Sequence, residues 1–153
     1  MMKKITLSLI SALMFTAAAF AQVENPVKWS YTAKKVSDKV YDIYITANLD
    51  NKWHIYSQNA GEGPQATEVN FTKNPLVTLE GKTKEVGTLV KEYSTEFKSV
   101  LNFYSKTVSF VQRVKLRSPV STNVKGTISY MVCDDKKCLP PKDIPFSVNV
   151  AGK

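Results

Sequence analysis

From residue 27 onward, apolar and polar side chains alternate with a period of two. In the run 40–49 this places Tyr41, Ile43, Ile45, Ala47 and Leu49 on one face, the pattern of a half-buried strand whose successive side chains point to opposite sides of a sheet. The run 107–116 repeats it, with Val108, Phe110, Val114 and Leu116 inward and Ser109, Arg113 and Lys115 outward, and Gln112 interrupting the apolar face. Shorter runs at 28–35, 53–57, 68–72, 76–79, 127–132 and 144–150 are separated by Asn, Asp, Gly, Pro and Ser clusters, and none holds helical spacing for long. Strands at such intervals with turn residues between them predict an all-β chain folded as an immunoglobulin-like antiparallel β-sandwich. Two stretches read as loops: 58–67, rich in Gly and polar residues, and 91–99, where Phe97 stands isolated among charges. An aromatic there either tucks into the core or covers something at the surface.

The first 21 residues follow a different rule. Lys3 and Lys4 precede an apolar stretch from Ile5 to Phe20, and Ala19 and Ala21 supply the small residues of a cleavage site. This is the layout of a signal peptide. The stretch is shorter than the roughly 20 apolar residues that span a bilayer, and Ser8, Ser11 and Thr16 interrupt it. The expectation is a cleaved leader at 1–21 and a single exported, periplasmic domain at 22–153, with no stable membrane insertion of the mature chain. The formal charge of +8 includes the two leader lysines, and the remaining basic residues are spread among acidic ones. Nucleic-acid binding needs a concentrated basic patch and a recognition element, and neither is present in the sequence, so no nucleic-acid partner is expected.

Candidate chemistry concentrates at the two cysteines of the chain, Cys133 and Cys138, which flank Asp134, Asp135, Lys136 and Lys137 and precede Leu139, Pro140 and Pro141. A disulfide closing so short a ring removes little entropy from the unfolded chain, about 2 kcal/mol against nearly 5 for a loop of about 100 residues. A pair poised to open and close needs access, a stabilised thiolate and some strain, which a tight loop beside two lysines supplies. The lysines favour thiolate near Cys138 while the aspartates oppose it near Cys133, making Cys138 the better attacking sulfur and Cys133 the resolving one. An oxidising compartment lets such a pair rest as a disulfide. The same residues also fit a structural disulfide that closes a hairpin, and spacing alone leaves both readings open.

Other chemistries fare worse. His54, the one histidine, lies far from the cysteines in the chain, which is poor spacing for a zinc or copper site built from Cys133, Cys138 and His54. No Gly-x-Ser-x-Gly turn accompanies His54 for a hydrolase, and no glycine loop cradles phosphate. Taken by itself, His54 reads as a strand residue near a sheet edge, and Asp134 and Asp135 as a solvated turn. No metal and no cofactor are expected.

The segment from Tyr130 through Cys133 and Cys138 to Pro140 and Pro141, followed by residues 142–148, resembles the N-terminal periplasmic domain of the thiol:disulfide interchange protein DsbD. The resemblance extends over nearly all of residues 22–153. Residues 53–57, with Trp53, His54 and Tyr56, look like that domain's aromatic strand beside the active site, and Glu96 and Phe97, followed by Phe103 and Tyr104, like its cap loop and the next strand. The resemblance implies an immunoglobulin-like fold, exchange at Cys138 completed by Cys133, a cap formed by Phe97 with Glu96 beside it, and Tyr56 and His54 as neighbours of the pair. It implies passage of reducing equivalents from a membrane electron carrier to exported thioredoxin-like proteins. Three departures stand out: four residues rather than five between the cysteines, His54 where a second aromatic hydroxyl is usual, and an end at Lys153 that leaves the carrier to a separate membrane protein. The rival expectation is a non-catalytic immunoglobulin-like binding module that uses Trp53, Tyr56, Phe97 and the loop 61–64, with the disulfide only as a brace.

Overall fold

Alternation in the run 40–49 becomes strand β2 (Val40–Leu49), in which Tyr41, Ile43, Ile45 and Ala47 are buried and the residues between them are not. The computed structural model describes residues 24–151, so the leader expected at 1–21 lies outside the described residues. β1 (Val27–Ser37) and β2 form an antiparallel hairpin, turned at Asp38 and Lys39, the latter with φ of 57°. β2 continues onto β8 (Thr107–Leu116), and β8 onto β5 (Val77–Gly87), giving a first sheet in the order β1-β2-β8-β5. A second sheet runs β11-β9-β4, from Lys142–Val150, Thr122–Tyr130 and Glu68–Phe71. The third runs β10-β3-β7-β6, from Val132–Cys133, His54–Tyr56, Ser99–Tyr104 and Val90–Ser94. Every strand pairing is antiparallel, and the architecture is an immunoglobulin-like β-sandwich.

The first two sheets share one buried cluster. Ile43, Ile45, Phe110 and Val114 from β2 and β8 meet Val124, Ile128, Phe146 and Val148 from β9 and β11, and each fully buried side chain of this size contributes about 1.5–3 kcal/mol relative to exposure. Trp29 closes one side of the cluster, edge-on to Tyr130 at 5.1 Å between ring centroids. Gln112, the polar break in the inward face of β8, is 2 % exposed. The pairing of β5 with β8 slips between Glu80 and Lys84, and the Gln112 amide bonds the carbonyls freed there. It donates to the Glu80 carbonyl at 3.1 Å and accepts from Thr83 Oγ1 at 2.9 Å. A buried polar side chain is tolerated where it satisfies backbone groups that an irregular ladder leaves open.

Three sequence expectations need correction. The stretch 91–99 is not a loop: Val90–Ser94 is strand β6, paired with β7, and only residues 95–98 form the turn between them. The run 76–79 is the start of an 11-residue edge strand, because the bulge lets β5 follow β8 past an otherwise polar segment. The run 127–132 is two strands. β9 ends at Tyr130, the chain crosses at Met131, and Val132–Cys133 pairs with β3 in another sheet.

Candidate functional site

The crossover at Met131 delivers the first cysteine to the inside of the third sheet. Cys133 lies opposite His54 in the β10–β3 register and is 2 % exposed, whereas Cys138 is exposed. The two sulfurs are bonded, and the two residues face each other as an isolated antiparallel bridge with Cα atoms 4.0 Å apart. Between them the chain makes a tight turn closed by Asp134: its Oδ1 accepts from the Lys136 and Lys137 amides at 2.8 and 2.7 Å, and its own amide donates to the Lys137 carbonyl. This is the usual habit of an aspartate at a turn. The same two backbone bonds hold the Asp134 carboxyl below the usual carboxylate range. The Leu139 amide then returns to the Val132 carbonyl at 2.9 Å, so the loop hangs from a short ladder while Cys138 stays at the surface.

The lysines do not act together as expected. Lys137 Nζ lies 2.6 Å from Glu24 Oε2, and Lys142 Nζ donates to the Glu24 carbonyl, so Glu24 draws the Lys137 charge to itself. The polar group at the sulfurs is instead an aromatic hydroxyl: Tyr56 OH donates to Cys133 Sγ at 3.3 Å, and His54 Nε2 lies 3.3 Å from that hydroxyl. Burial, with the Glu96 charge as a smaller cause, raises the Tyr56 pKa and keeps it a donor. His54 is not at a sheet edge, because β3 runs between β10 and β7. Its ring packs tilted against Phe103 at 4.5 Å between centroids and stands edge-on to Tyr56, and burial lowers its pKa against the opposing pull of Asp135, Glu92 and Asp134.

Phe97 comes from the turn between β6 and β7. It is half-buried against a small cluster of Tyr56, Ala60, Leu101 and Cys133, separate from the main core. Its ring lies on Gly63: a Cβ at that position would stand 2.2 Å from Phe97 Cδ1, and Gly63 has φ of 115°, which L side chains rarely adopt. Further bonds tie the loop 58–67 to β7. Ser99 Oγ donates to the Glu62 carbonyl, and Asn102 bonds the Ala60 and Asn59 carbonyls. Glu85 of β5 anchors the loop's first residues, accepting from Ser57 Oγ, the Gln58 amide and Tyr104 OH. Burial and that carboxylate raise the Tyr104 pKa far above the ordinary tyrosine value.

A cleft of about 680 Å³ opens between the cysteine loop and the β6–β7 hairpin. Cys133, Cys138, His54, Tyr56, Glu96 and Phe97 all line it, so the structure brings together every candidate from the sequence, Trp53 included, whereas Gly63 lies behind Phe97 as its seat. Sequence reading missed Leu101 and Ala60 beneath the pair, and Glu92, whose charge acts on His54. Glu92 sits in the segment mistaken for a loop, where Val90, Glu92 and Ser94 share one face and no apolar alternation marks the strand. Among the described residues no group of three or more His, Cys, Asp or Glu is arranged to hold a metal ion.

The family model described as "Thiol:disulfide interchange protein DsbD, N-terminal" matches residues 21–149. No curated protein matches the chain. Among solved structures, the N-terminal periplasmic domain of ScsB from Proteus mirabilis has a TM-score of 0.50 at 20 % identity, covering 81 % of this chain and 44 % of that one. The chain therefore spans less than half of that ScsB chain, and the likeness bears on the fold alone. The DsbD N-terminal domain of Neisseria meningitidis, solved in complex with the PilB N-terminal domain, gives a TM-score of 0.49 at 12 % identity, over 82 % and 87 % of the two chains. The same Neisseria domain in its reduced form gives 0.42 at 14 %, over 82 % and 86 %. With the family match running through nearly all the described residues, the chain belongs to the family of N-terminal domains of the thiol:disulfide interchange protein DsbD.

Proposed function

We propose that residues 22–153 form an exported, periplasmic thiol–disulfide exchange domain, preceded by a leader at 1–21 that is removed, and that the Cys133–Cys138 pair carries reducing equivalents from a separate membrane electron carrier to thioredoxin-like proteins. The observation that carries this reading is the asymmetry of the pair: one sulfur exposed in a cleft, the other buried beneath an aromatic hydroxyl. In the first half of the cycle a donor thiolate attacks Cys138 Sγ and Cys133 leaves as thiolate, steadied by the Tyr56 hydroxyl. The donor's second thiol then attacks the donor sulfur of the mixed disulfide and frees Cys138. In the second half Cys138 attacks a client disulfide, and Cys133 attacks Cys138 Sγ and releases the reduced client. Two electrons and two protons pass in each half.

Phe97 and Glu96 form the cap in this reading, with Tyr56 and His54 as neighbours of the pair. An aromatic lid shields the reduced pair from stray oxidants and moves aside when a partner docks. Phe97→Ala is expected to speed alkylation of the reduced pair by a small reagent several-fold while leaving the protein folded, and Gly63→Ala, which unseats the ring without removing it, to do the same. An unchanged rate in both variants removes Phe97 from the site.

The exchange reading itself is tested by titrating the purified domain against glutathione, with thiols counted by alkylation. A potential within the range of exchange proteins is expected, whereas one below about −300 mV marks a bridge that only braces the loop.

A further inference from the structure

The second half of the cycle requires Cys133 to lose a proton while almost wholly buried. Its side chain is 2 % exposed, and burial raises a thiol's pKa. The Tyr56 hydroxyl lies 3.3 Å from its sulfur and His54 Nε2 lies 3.3 Å beyond that hydroxyl. Resting on the exchange reading above, we infer that His54 is a positioning residue that acts through Tyr56, taking the proton of Cys133 as that thiol closes on the mixed disulfide held by Cys138.

The S–H proton of Cys133 passes to the Tyr56 oxygen while the Tyr56 hydroxyl proton passes to His54 Nε2. Cys133 Sγ forms its bond to Cys138 Sγ, and the client sulfur leaves with the electron pair of the bond that breaks. Tyr56 ends unchanged, His54 holds one proton more, and the client gains the two electrons that the pair gives up.

The surroundings suit His54 to this task and leave Asp134, next to Cys133 in the chain, unsuited. Asp134 Oδ1 is committed to two turn amides, which makes it a weak base. His54 is held in place by Phe103 of β7 on one side and by its register partner Cys133 of β10 on the other. The charges that face it are Glu92 of β6 and Asp134 and Asp135 of the turn, with Lys52 before β3, Glu96 on the cap and Lys136 and Lys137 after Asp135 lining the same cleft. Burial outweighs the acids and leaves the ring neutral at neutral pH, able to accept at Nε2 when Nδ1 carries the proton. General bases work best with a pKa near the operating pH.

The reduced protein, mixed with an aromatic disulfide of the Ellman type, releases coloured thiol in two steps: attack by Cys138, then ring closure by Cys133. In the wild type the second step should be level from about pH 7 upward and fall as His54 gains a proton below its ordinary value of about 6.5. In His54→Gln it should instead climb with pH into the thiol range, at or above about 8.5, and run about 30-fold slower or more at pH 7, since even an ordinary thiol is only about 3 % ionised there. Tyr56→Phe should give the same altered profile, and the first step should be unchanged in both variants. A His54→Gln profile that matches wild type overturns the inference, as does equal slowing of both steps, which marks a structural role. Either result leaves the exchange reading standing. A wild-type pair that no thiol reductant opens overturns that reading and this inference together.

Discussion

Cys133→Ser should capture partners and Cys138→Ser should not. With Cys133 replaced, the exposed Cys138 can still attack a client or be attacked by a donor, and the mixed disulfide then persists because its resolving thiol is gone. With Cys138 replaced, the remaining sulfur is 2 % exposed beneath Tyr56 and beside Leu101 and Ala60, where a protein disulfide cannot align for in-line attack. Steady-state exchange should be lost in both variants, so only trapping separates them. Incubating each with an oxidised thioredoxin-like protein and resolving the products on a non-reducing gel should give a cross-linked band for Cys133→Ser alone. Equal bands from the two variants would mean that Cys133 reaches partners directly, and the assignment of roles would reverse.

The second large effect concerns stability, and it separates a redox pair from a staple. Phe110 is fully buried at the centre of β8 and packs on Trp29 at 6.4 Å between ring centroids. Phe110→Ala is expected to cost about 3–5 kcal/mol, from the lost transfer energy together with the cavity left behind. Replacing both cysteines with serine removes a bridge across a five-residue separation, and the loop-entropy estimate for so small a ring is about 2 kcal/mol. Urea unfolding of the two variants should rank them in that order with similar slopes. A double serine variant that loses as much stability as Phe110→Ala would identify the bridge as the fold's brace, whatever its chemistry in solution.

Much of this protein is legible along the chain. Alternation in residues 40–49 and 107–116 identifies two central strands and the side that each buries, because in an antiparallel sandwich one face of a strand meets the core and the other meets water. Both runs appear at the expected positions, with the named inward residues buried except Leu49, which is half-buried at the end of β2. The cysteine loop was identifiable as a site candidate from residue type and spacing, and Tyr56, His54 and Phe97 from the resemblance to the DsbD N-terminal domain; all line one cleft. Where reading by pattern failed, the cause is physical. The segment 90–94 carries Lys91 and Glu92 because it is an exposed edge strand, and an edge exposed on both faces keeps no hydrophobic alternation to read. The run 127–132 looks continuous because both of its strands bury apolar residues, although they belong to different sheets.

Charge was the least legible property. Two lysines beside Cys138 suggest shared stabilisation of its thiolate, yet Lys137 pairs with Glu24, more than a hundred positions earlier in the chain. The inequality of the sulfurs was anticipated from neighbouring charges, whereas the structure produces it mainly by burial, through the crossover at Met131 and the hydroxyl of Tyr56. Gly63 gives no sign in the sequence of its part as the seat of Phe97, since that contact joins a glycine-rich loop to a turn more than thirty positions away.

By itself the sequence determined the strand periodicity, the all-β class and the chemical capacity of the cysteine pair, because these depend on residue type and on neighbours within a few positions. Only the tertiary structure decided which cysteine is exposed, which side chains stand beside the buried one and where the Phe97 ring rests. Those properties come from contacts between segments far apart in the chain, and they exist only once the strands have paired.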